Sequence, residues 1–414
     1  MRSSNWFTTN NMFNKILRLY KDAYSGLPRE IWELGIFTLI NRLGMMVIPF
    51  LSVYLKTILK FSLAEAGLLL SALGWGALAG SFLGGQMTKR FGHRITMVAS
   101  LIIGGVMLII IERVEGFYGL FIVMFLTFMF GESYRPAMSA LIGQLVPKND
   151  TGRSMAVMRL AMSIGMSIAP AIGGFIATYL GYEYLFWVDG ITCILAGIYL
   201  YIVSAKWEYG QQPITQQPQD VESAHLLPYQ NTQFLLFLAS SFFIGFVFLQ
   251  YFYSVPVFIK TEWGFDERYI GILMGTNGLL VALFELPLVH TLEKNKYIYT
   301  SIIIGIICIA GGYIPFLFFG TYALGFVSIG IWTLGIMLFL PFNNSIPVTM
   351  APQVYTSDYM AWYWMAWAIV GIAASSLGLV AAAYFGFQAF WLGVLALAGI
   401  GLFLFSKIER EKIE

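Results

Sequence analysis

A few ionisable residues interrupt stretches of sequence that are otherwise apolar. Arg42, Glu132, Arg135 and Arg159 each stand in such a stretch. At the centre of a lipid-facing helix a charged side chain costs roughly 2.5 to 3.5 kcal/mol, so within a membrane these four must face an interior, wet or paired environment. A carboxylic acid in such surroundings can change its protonation state, and a guanidinium group can hold a carboxylate or a phosphate. The pattern therefore predicts proton exchange at Glu132 and anion binding at the arginines.

Helical spacing predicts that these residues meet. Glu132 and Arg135 are spaced i, i+3 and share a helix face. An antiparallel hairpin with the next helix sets Arg159 about one turn from Arg135, and Arg42 lies at a similar depth in the first apolar stretch. We expect Arg42, Arg135 and Arg159, with Asn41 beside Arg42, to bind substrate, and Glu132 to carry the proton. The alternative is a buried ion-pair network that only holds helices together.

The carboxyl-terminal half holds fewer polar candidates. Glu285 is its one deep acid, and it is expected either to take part in proton coupling or to form a salt bridge. Asn343 and Asn344 stand between two prolines, where they can hydrogen-bond substrate or a neighbouring helix. Tyr251 and Trp364 can form an aromatic wall for an amphipathic substrate, although such residues also belong to cores and to interfacial belts.

Composition identifies lipid as the solvent of the chain. Of its 414 residues, 58% are hydrophobic and 11% are charged, and the mean hydropathy is +0.74. Because soluble domains carry about a quarter charged residues, this chain cannot cover its surface in water. The net charge of +2 gives no reason to expect nucleic acid as a partner. Cys193 and Cys308 lie within apolar runs and are expected to be buried thiols rather than a disulfide.

The apolar runs predict twelve membrane-spanning helices. About twenty residues are needed to cross a hydrocarbon core of roughly 30 Å. Asp189 and Glu33 fall near the ends of two runs and are expected to be solvated at the interface. The predicted spans are 31–55, 64–88, 95–112, 117–144, 151–179, 184–205, 233–260, 268–290, 297–319, 322–349, 356–384 and 387–407.

A polar stretch between the sixth and seventh spans predicts two bundles joined by a linker. The domains expected are an amino-terminal tail (1–30), a six-helix bundle (31–206), a cytoplasmic linker (207–232), a second six-helix bundle (233–408) and a short tail (409–414). Basic residues are retained in the cytoplasm, and with both termini inside, the outer loops hold five of the 24 Lys and Arg residues, namely Lys56, Lys60, Arg113, Lys260 and Arg268. We therefore expect an inner-membrane protein with both termini in the cytoplasm.

An internal repeat is detectable at an offset of 205 residues. Pro136 then falls on Pro341, and Pro147 falls on Pro352. The repeat equivalents of the charged residues are all apolar, so packing alone does not demand charge at these positions and a role specific to the first half is favoured. Those equivalents of Arg42, Glu132, Arg135 and Arg159 are Val247, Met337, Leu340 and Trp364.

The loop after the second span resembles a motif of the major facilitator superfamily. It reads Gly85-Gln-Met-Thr-Lys89-Arg90-Phe-Gly92-His93-Arg94 and is similar to G-x-L-A-D-R-x-G-R-R, with Lys89 in place of the acid. The resemblance implies an all-α integral membrane protein of twelve transmembrane helices in two six-helix pseudo-repeat halves. It also implies a gating loop that contains Gly85, Lys89, Arg90, Gly92 and Arg94.

The fifth span carries a second motif of small residues. Gly165, Ala169, Pro170, Gly173 and Gly174 match the G-x-x-x-G-P-x-x-G-G pattern of drug:proton antiporters, except that Ala169 replaces a glycine. Small residues every four positions let a neighbouring helix approach closely, so close helix packing is the expected role. Pro170 adds a kink, which neighbouring groups can accommodate.

The resemblance implies secondary active transport by alternating access, with multidrug-like, proton-coupled efflux of a small amphipathic molecule as the leading interpretation. Arg42 and Arg135-Pro136 give a fainter similarity to proton-dependent oligopeptide transporters, so proton-coupled uptake of peptides or another small organic anion is the alternative. A channel or a non-transporting receptor stays open. An enzyme is not expected, because no G-x-S-x-G turn occurs and the three histidines fall in loops or at span ends. The expected partners are a small-molecule substrate, a proton and lipid, with no cofactor, no metal and a monomeric state.

Overall fold

The computed structural model describes residues 26–146, 148–207, 227–294, 297–352 and 355–410. Most of these residues are helical, with no β-strand among them, and the prediction of an all-α protein is confirmed. The other residues lie outside the described ranges, and they include Pro147, most of the predicted amino-terminal tail and most of the predicted linker.

Thirteen α-helices are numbered here in chain order. A π-helical turn, Tyr54–Ile58, extends α2, and 3₁₀ turns occupy Pro228–Gln230 and Ile314–Leu317. The helices are α1 (Arg29–Leu43), α2 (Val47–Val53), α3 (Leu63–Ile111), α4 (Phe117–Glu132), α5 (Tyr134–Leu145), α6 (Lys148–Tyr179), α7 (Tyr182–Ser204), α8 (Thr232–Tyr253), α9 (Val255–Thr261), α10 (Glu267–Lys294), α11 (Ile298–Gly311), α12 (Tyr322–Met350) and α13 (Thr356–Ser406).

Nine helical segments of the described residues are long and apolar enough to cross a membrane. Two of them, Leu63–Ile111 and Asp358–Ser406, are 49 residues long, more than twice the ~20 residues that a membrane requires. Each of these two contains two of the predicted spans, whereas the other seven contain one each. Helix α10 covers the remaining predicted span, 268–290.

A glycine interrupts each of the two long segments. Gly92 has φ 79° and ψ 169°, and Gly386 has φ 77° and ψ 160°. Side chains strongly disfavour these backbone angles, whereas glycine adopts them readily. The helix changes direction at both positions, so the glycine provides the turn that the sequence predicts between separate spans.

Prolines account for three further breaks in the helices. Each break lies inside a stretch that the sequence predicts as one continuous span. The regular helix is interrupted between α1 and α2, between α4 and α5, and between α8 and α9, although Gly44, Ser133 and Ser254 at these breaks keep right-handed helical backbone angles. Pro49, Pro136 and Pro256 follow these breaks by a few residues. A proline has no N–H to donate to the carbonyl four residues earlier, which weakens the helix at that point.

The glycines of α3 allow α4 to pack directly against its backbone. A Cβ at Gly76 would lie 3.0 Å from the backbone nitrogen of Met129, and one at Gly84 would lie 2.9 Å from the Cα of Ser133. The Ser133 hydroxyl donates to the carbonyl of Gly80 at 2.9 Å. This close approach agrees with the four-residue glycine spacing of the sequence, and it fixes the carboxyl-terminal end of α4.

Helices before the linker contact helices after it along two main interfaces. Helix α6 packs on α10, and α3 packs on α13. A Cβ at Gly67 would lie 2.8 Å from the carbonyl of Ser376. Helix α1 packs mainly on α6 and α7, whereas α2, beyond the break, also contacts α8, α9 and α10. The first membrane segment thus belongs to one bundle in its first part and bridges both groups of helices in its second.

Candidate functional site

A cavity with a mostly apolar lining lies among the helices that precede the linker. Its walls come from α1 and α2, from the part of α3 after Gly92, from α4 and α5, and from α7. Its charged lining residues are Arg42, Glu132 and Asp189. The other lining residues are Asn41, Met45, Val47, Ile48, Leu51, Leu101, Gly104, Gly105, Leu108, Ile111, Thr127, Phe128, Gly131, Tyr134 and Cys193.

Arg42 occupies the last turn of α1, next to the break that precedes α2. Its side chain is buried, and its Nη2 donates to the Tyr134 hydroxyl at 2.8 Å, while its Nη1 contacts the sulfur of Met45. Its Nε has no hydrogen-bond partner in the structure. A cation at a helix carboxyl terminus is favoured by the helix dipole. Because its Nε is unpartnered, the arginine keeps one buried hydrogen-bond donor unused in the cavity wall.

A chain of polar contacts leads from Arg42 to Asp189. The Tyr134 hydroxyl lies 3.5 Å from Oδ1 of Asn41, and Nδ2 of Asn41 lies 3.5 Å from the sulfur of Cys193. That sulfur lies 3.8 Å from Oδ1 of Asp189. These contacts connect residues of α1, α5 and α7 on the cavity wall.

Asp189 is the functional candidate that the sequence analysis missed. The expectation that it is solvated at the membrane interface is wrong, because its exposed fraction is 5% and it lines the cavity. The backbone N–H of Val47 lies 3.4 Å from its Oδ2. No basic nitrogen of the described residues lies within 4.0 Å of its carboxylate. The i, i+3, i+4 spacing of Asp189, Thr192 and Cys193 marks a polar face of α7 and is the sequence signal that could have identified it.

Glu132 is the last residue of α4 and lines the same cavity. It forms an ion pair with Arg135, whose side chain is 51% exposed and does not line the cavity. Arg42 and Glu132, which the sequence predicts to lie near each other, therefore line the same cavity. Arg135 lies at the margin of this cavity as the counter-ion of Glu132.

Arg159 is not part of this cavity. Its Nη1 lies 3.9 Å from a carboxylate oxygen of Glu285, so it connects α6 to α10 across the linker. Its side chain is more exposed than that of Glu285. Of the two outcomes that the sequence left open for Glu285, the structure contains the salt bridge.

The polar candidates after the linker form their own network. Asn343 is buried, donates to the Tyr363 hydroxyl at 2.8 Å and accepts from the Ser241 hydroxyl at 3.1 Å. The Tyr363 hydroxyl in turn donates to Oδ1 of Asn344 at 2.5 Å. The two asparagines thus bond a neighbouring helix.

The two aromatic candidates lie apart from each other. Tyr251 is fully buried in the core, where its ring stacks on Trp332 at 4.2 Å. Trp364 is 55% exposed on α13. Neither residue lines the cavity around Arg42, and the same is true of Asn343 and Asn344. The structure therefore does not join them to the charged site.

The residues of the predicted gating loop surround the turn at Gly92. Lys89 and Arg90 are exposed, and Gly85 has open space around it. Arg94 donates to the carbonyl of Tyr201 at 2.8 Å, and its guanidinium carbon lies 4.8 Å from the centre of the Tyr201 ring. This turn is consequently attached to α7, the helix that carries Asp189.

The small residues of α6 contact two different neighbours. A Cβ at Gly165 would lie 2.9 Å from the carbonyl carbon of Arg42, and one at Gly173 would lie 3.0 Å from the Cβ of Met46. On the other side, Gly174 lies against Gly271 of α10, and the carbonyl of Pro170 is in contact with Gly271 as well. Ala169, between the two faces, is fully buried. Helix α6 therefore supports the backbone of the arginine and also forms the contact with the second group of helices.

In the part of the chain that the structure describes, no group of three or more His, Cys, Asp or Glu side chains is arranged to hold a metal ion.

Comparison with protein families gives one match across most of the chain. A family model described as Major Facilitator Superfamily matches residues 34–375. The Na(+), Li(+), K(+)/H(+) antiporter of Planococcus maritimus is 23% identical over 379 residues, which cover 83% of this chain and 86% of that protein. The quinolone resistance protein NorA of Staphylococcus aureus (strain MRSA252) is 24% identical over 293 residues, which cover 67% of this chain and 73% of that protein.

Solved structures share the fold. A POT family transporter in complex with 5-aminolevulinic acid gives a TM-score of 0.79 at 15% identity, over 94% of this chain and 98% of that chain. A bacterial homolog to the human lysosomal transporter Spinster, in an inward-facing and occupied conformation, gives a TM-score of 0.71 at 13% identity, over 93% of this chain and 97% of that chain.

Proposed function

Because the chain belongs to the Major Facilitator Superfamily, and is thus a multi-pass membrane protein that transports small molecules, we propose that it exports a small amphipathic molecule in exchange for protons. The observation that carries this proposal is the composition of the cavity. Apolar side chains form most of its lining, while Arg42, Glu132 and Asp189 provide charge on its walls. Ligand sites of mostly apolar lining with a few polar groups suit molecules that combine both characters.

The carboxyl groups at the cavity support proton coupling. An acid that loses contact with water favours its neutral form, and one that faces a cation favours its ionised form. Glu132 lies between the cavity and its partner Arg135, so we assign it to proton coupling. Movement of the helices between the two states of alternating access would change both the contact of Glu132 with water and its contact with Arg135. Glu285 pairs with Arg159 across the two groups of helices, so we propose that the same helix movement changes the environment of Glu285.

Exchange rather than uptake is supported by the relatives. These relatives are named as a cation/proton antiporter and a quinolone resistance protein. The alternative, uptake of a peptide or another small organic anion, is supported by the unused Nε donor of the buried Arg42, since a guanidinium group suits a carboxylate. The direction of substrate movement under an imposed proton gradient separates the two.

The proposed layout is twelve spans in two six-helix halves, with domain bounds at 31–206 and 233–408 around the cytoplasmic linker 207–232. Helix starts support it, since Phe117 and Tyr322 begin α4 and α12 at a separation of 205 residues. Gly181 and Gly386, which precede two other helical stretches, have the same separation and both have positive φ. We further propose a monomer in the inner membrane, with both termini cytoplasmic and the loop around Gly92 as part of the gate.

The test is a flux measurement on the full-length protein in proteoliposomes with an imposed pH gradient. A panel of amphipathic compounds is added, and a trapped pH-sensitive dye reports proton movement. We expect compounds that are transported to dissipate the gradient. Compounds that cross only through the protein without moving protons would contradict proton coupling.

The matched variants are Glu132→Gln and Glu183→Gln. Glu132→Gln should abolish substrate-dependent proton movement while the unfolding temperature in detergent stays near the wild-type value. Glu183, an exposed acid in the first turn of α7, should tolerate the same change. Proton-driven transport by the Glu132 variant at the wild-type rate would remove Glu132 from the mechanism.

A further inference from the structure

A second cavity lies where α6 ends and where α10 and α12 begin, and we call it the outer cavity. In the proposed orientation this is the side of the membrane opposite to the linker. The volume of the outer cavity is about 260 Å³, and it shares no lining residue with the cavity around Arg42. Its charged lining residues are Asp266 and Arg268, and aromatic and aliphatic side chains form the rest. Most of those side chains are exposed, so the outer cavity is open to the surroundings of the protein.

The lining of the outer cavity changes from polar to apolar with depth. Asp266 and Arg268 lie at the start of α10, and Tyr322 is the first residue of α12. Ile272 and Phe326 follow Arg268 and Tyr322 by four residues each, which is about 6 Å along a helix and on the same face. The apolar layer is therefore about 6 Å deeper in the membrane than the polar layer. A phospholipid beside these helices has its headgroup and its acyl chains in the same order.

The polar layer has hydrogen-bonding capacity for a ligand. Oδ2 of Asp266 accepts from Nε of Arg268 at 2.8 Å and from Nη2 at 2.5 Å, and Nη1 donates to the Tyr179 hydroxyl at 2.6 Å. A guanidinium group has five N–H donors, so these three bonds leave two for a ligand. Oδ1 of Asp266 accepts from the backbone N–H of Tyr269 at 3.1 Å, and a carboxylate oxygen can accept a second donor.

The charges of the polar layer compensate one another. Asp266 neutralises Arg268, and the adjacent Glu267 pairs with Lys260 at 2.9 Å. A carboxylate next to a guanidinium group complements a molecule in which an ammonium group is next to a phosphate, because both charged hydrogen bonds can form. An anionic headgroup satisfies Arg268 but places a negative charge next to Asp266.

We propose that the outer cavity binds a zwitterionic phospholipid of the phosphatidylethanolamine type. Its phosphate bonds to Arg268, its ammonium group bonds to Oδ1 of Asp266, and the first part of an acyl chain lies against Ile272 and Phe326. The site goes beyond the proposed function, since it is separate from the cavity around Arg42 and does not depend on the transported molecule.

The lipid contacts both groups of helices. Phe175 belongs to α6, before the linker, whereas the other lining residues belong to α10 and α12 or directly precede α10. Arg268 also donates to Tyr179 of α6. A phospholipid in the outer cavity therefore stabilises the arrangement in which α6 and α10 are in contact at these ends.

The proposal is tested with the full-length protein in detergent by native mass spectrometry, which resolves each lipid that stays bound. The probes are phosphatidylethanolamine and phosphatidylglycerol with identical acyl chains. The wild type should bind phosphatidylethanolamine more tightly. In Asp266→Asn, the asparagine can still accept from the N–H of Tyr269, but the charge of Arg268 is not compensated. The affinity for phosphatidylglycerol relative to phosphatidylethanolamine should then rise roughly fourfold or more, the effect of one unit charge at about 5 Å even in bulk water.

Glu115→Gln is the matched control. It removes an exposed acid that does not line the outer cavity, so the affinity ratio should stay at the wild-type value. Three results would overturn the proposal. The first is an unchanged ratio in Asp266→Asn, and the second is tighter binding of phosphatidylglycerol by the wild type. The third is competition by glycerophosphoethanolamine, which has no acyl chains, as strong as that by the intact lipid, since the occupant would then be a soluble molecule.

A second variant tests the apolar layer without altering the ion pair. Ile272→Trp fills part of this layer and should weaken binding of phosphatidylethanolamine roughly tenfold, because about two methylene groups of the acyl chain lose their contacts. Ile304→Trp, at an equally exposed position outside the outer cavity, should bind like the wild type. Wild-type affinity in the Ile272 variant would refute the assigned position of the acyl chain. These measurements need neither flux nor substrate, so their outcome is independent of the proposed function.

Discussion

Gly165 tests whether α6 determines the position of Arg42. In the structure a Cβ added at this residue would lie 2.9 Å from the carbonyl carbon of Arg42 and 3.1 Å from the backbone nitrogen of Leu43. Carbon atoms in contact prefer roughly 3.5 to 4.0 Å, so the Gly165→Ala variant must move α1 away from α6 by about 0.5 to 1 Å. The nearest atom is the Cβ of Arg42, followed by these two backbone atoms, and none of the three can give way by changing rotamer.

The magnitude follows from two opposing contributions. Overpacking of this kind costs about 1 to 3 kcal/mol, while replacing glycine by alanine inside a helix gains roughly 0.5 to 1 kcal/mol. We expect a net destabilisation of ~0 to 2.5 kcal/mol together with slower substrate-dependent proton movement, since Arg42 and its contact with Tyr134 are displaced. The assay combines thermal unfolding in detergent with the proteoliposome flux measurement.

Gly143→Ala is the matched control. Gly143 lies in α5, and a Cβ there would meet no atom within 4 Å, so only the favourable helix term applies. Its variant should be at least as stable as the wild type and should transport substrate at the wild-type rate. If Gly165→Ala matched the Gly143 variant in both measurements, the reasoning that the glycine positions Arg42 would be refuted.

Three further variants address contacts outside the cavity. Arg159→Ala and Glu285→Ala should each change the free energy of unfolding little, because the ion pair is partly exposed. Their double-mutant cycle should give a coupling energy of no more than about 1 kcal/mol. A coupling energy of several kcal/mol would show a stronger pair than the 3.9 Å contact implies. Tyr363→Phe removes the hydroxyl that joins Asn343 and Asn344 and should destabilise the protein by roughly 1 to 3 kcal/mol, measured as a lower unfolding temperature, with wild-type behaviour contradicting the network.

The fold was accessible from the sequence because the signals were long and local. Apolar runs of about twenty residues predict helices well, and Gly92 falls between two predicted spans and makes the turn there. The breaks at Gly44–Met46 and Ser133 were not predicted, although Pro49 and Pro136 mark them. A proline within a membrane helix is compatible with a mild kink as well as with a break, and neighbouring helices decide which occurs.

The site was predictable only where one helix decided the geometry. Arg42 and Glu132 share a cavity as expected, because isolated charges in apolar runs can only face an interior. Arg159 was assigned to the same cluster on the basis of hairpin geometry within one bundle, but its partner Glu285 comes from a helix more than a hundred residues away. Asp189 was missed because its burial depends on how α7 packs against α1 and α2, and position within a span does not contain that information.

The interface between α6 and α10 has a mechanical consequence. Around Gly174 and Gly271 the two helices meet with little side chain between them, whereas most helix pairs interlock through ridges and grooves. An interface of this kind has no interlocking side chains to resist rolling or sliding of the helices. One group of helices can therefore rotate against the other at this point at low energetic cost. A bulky residue at either glycine would push the two helices apart and hinder this rotation.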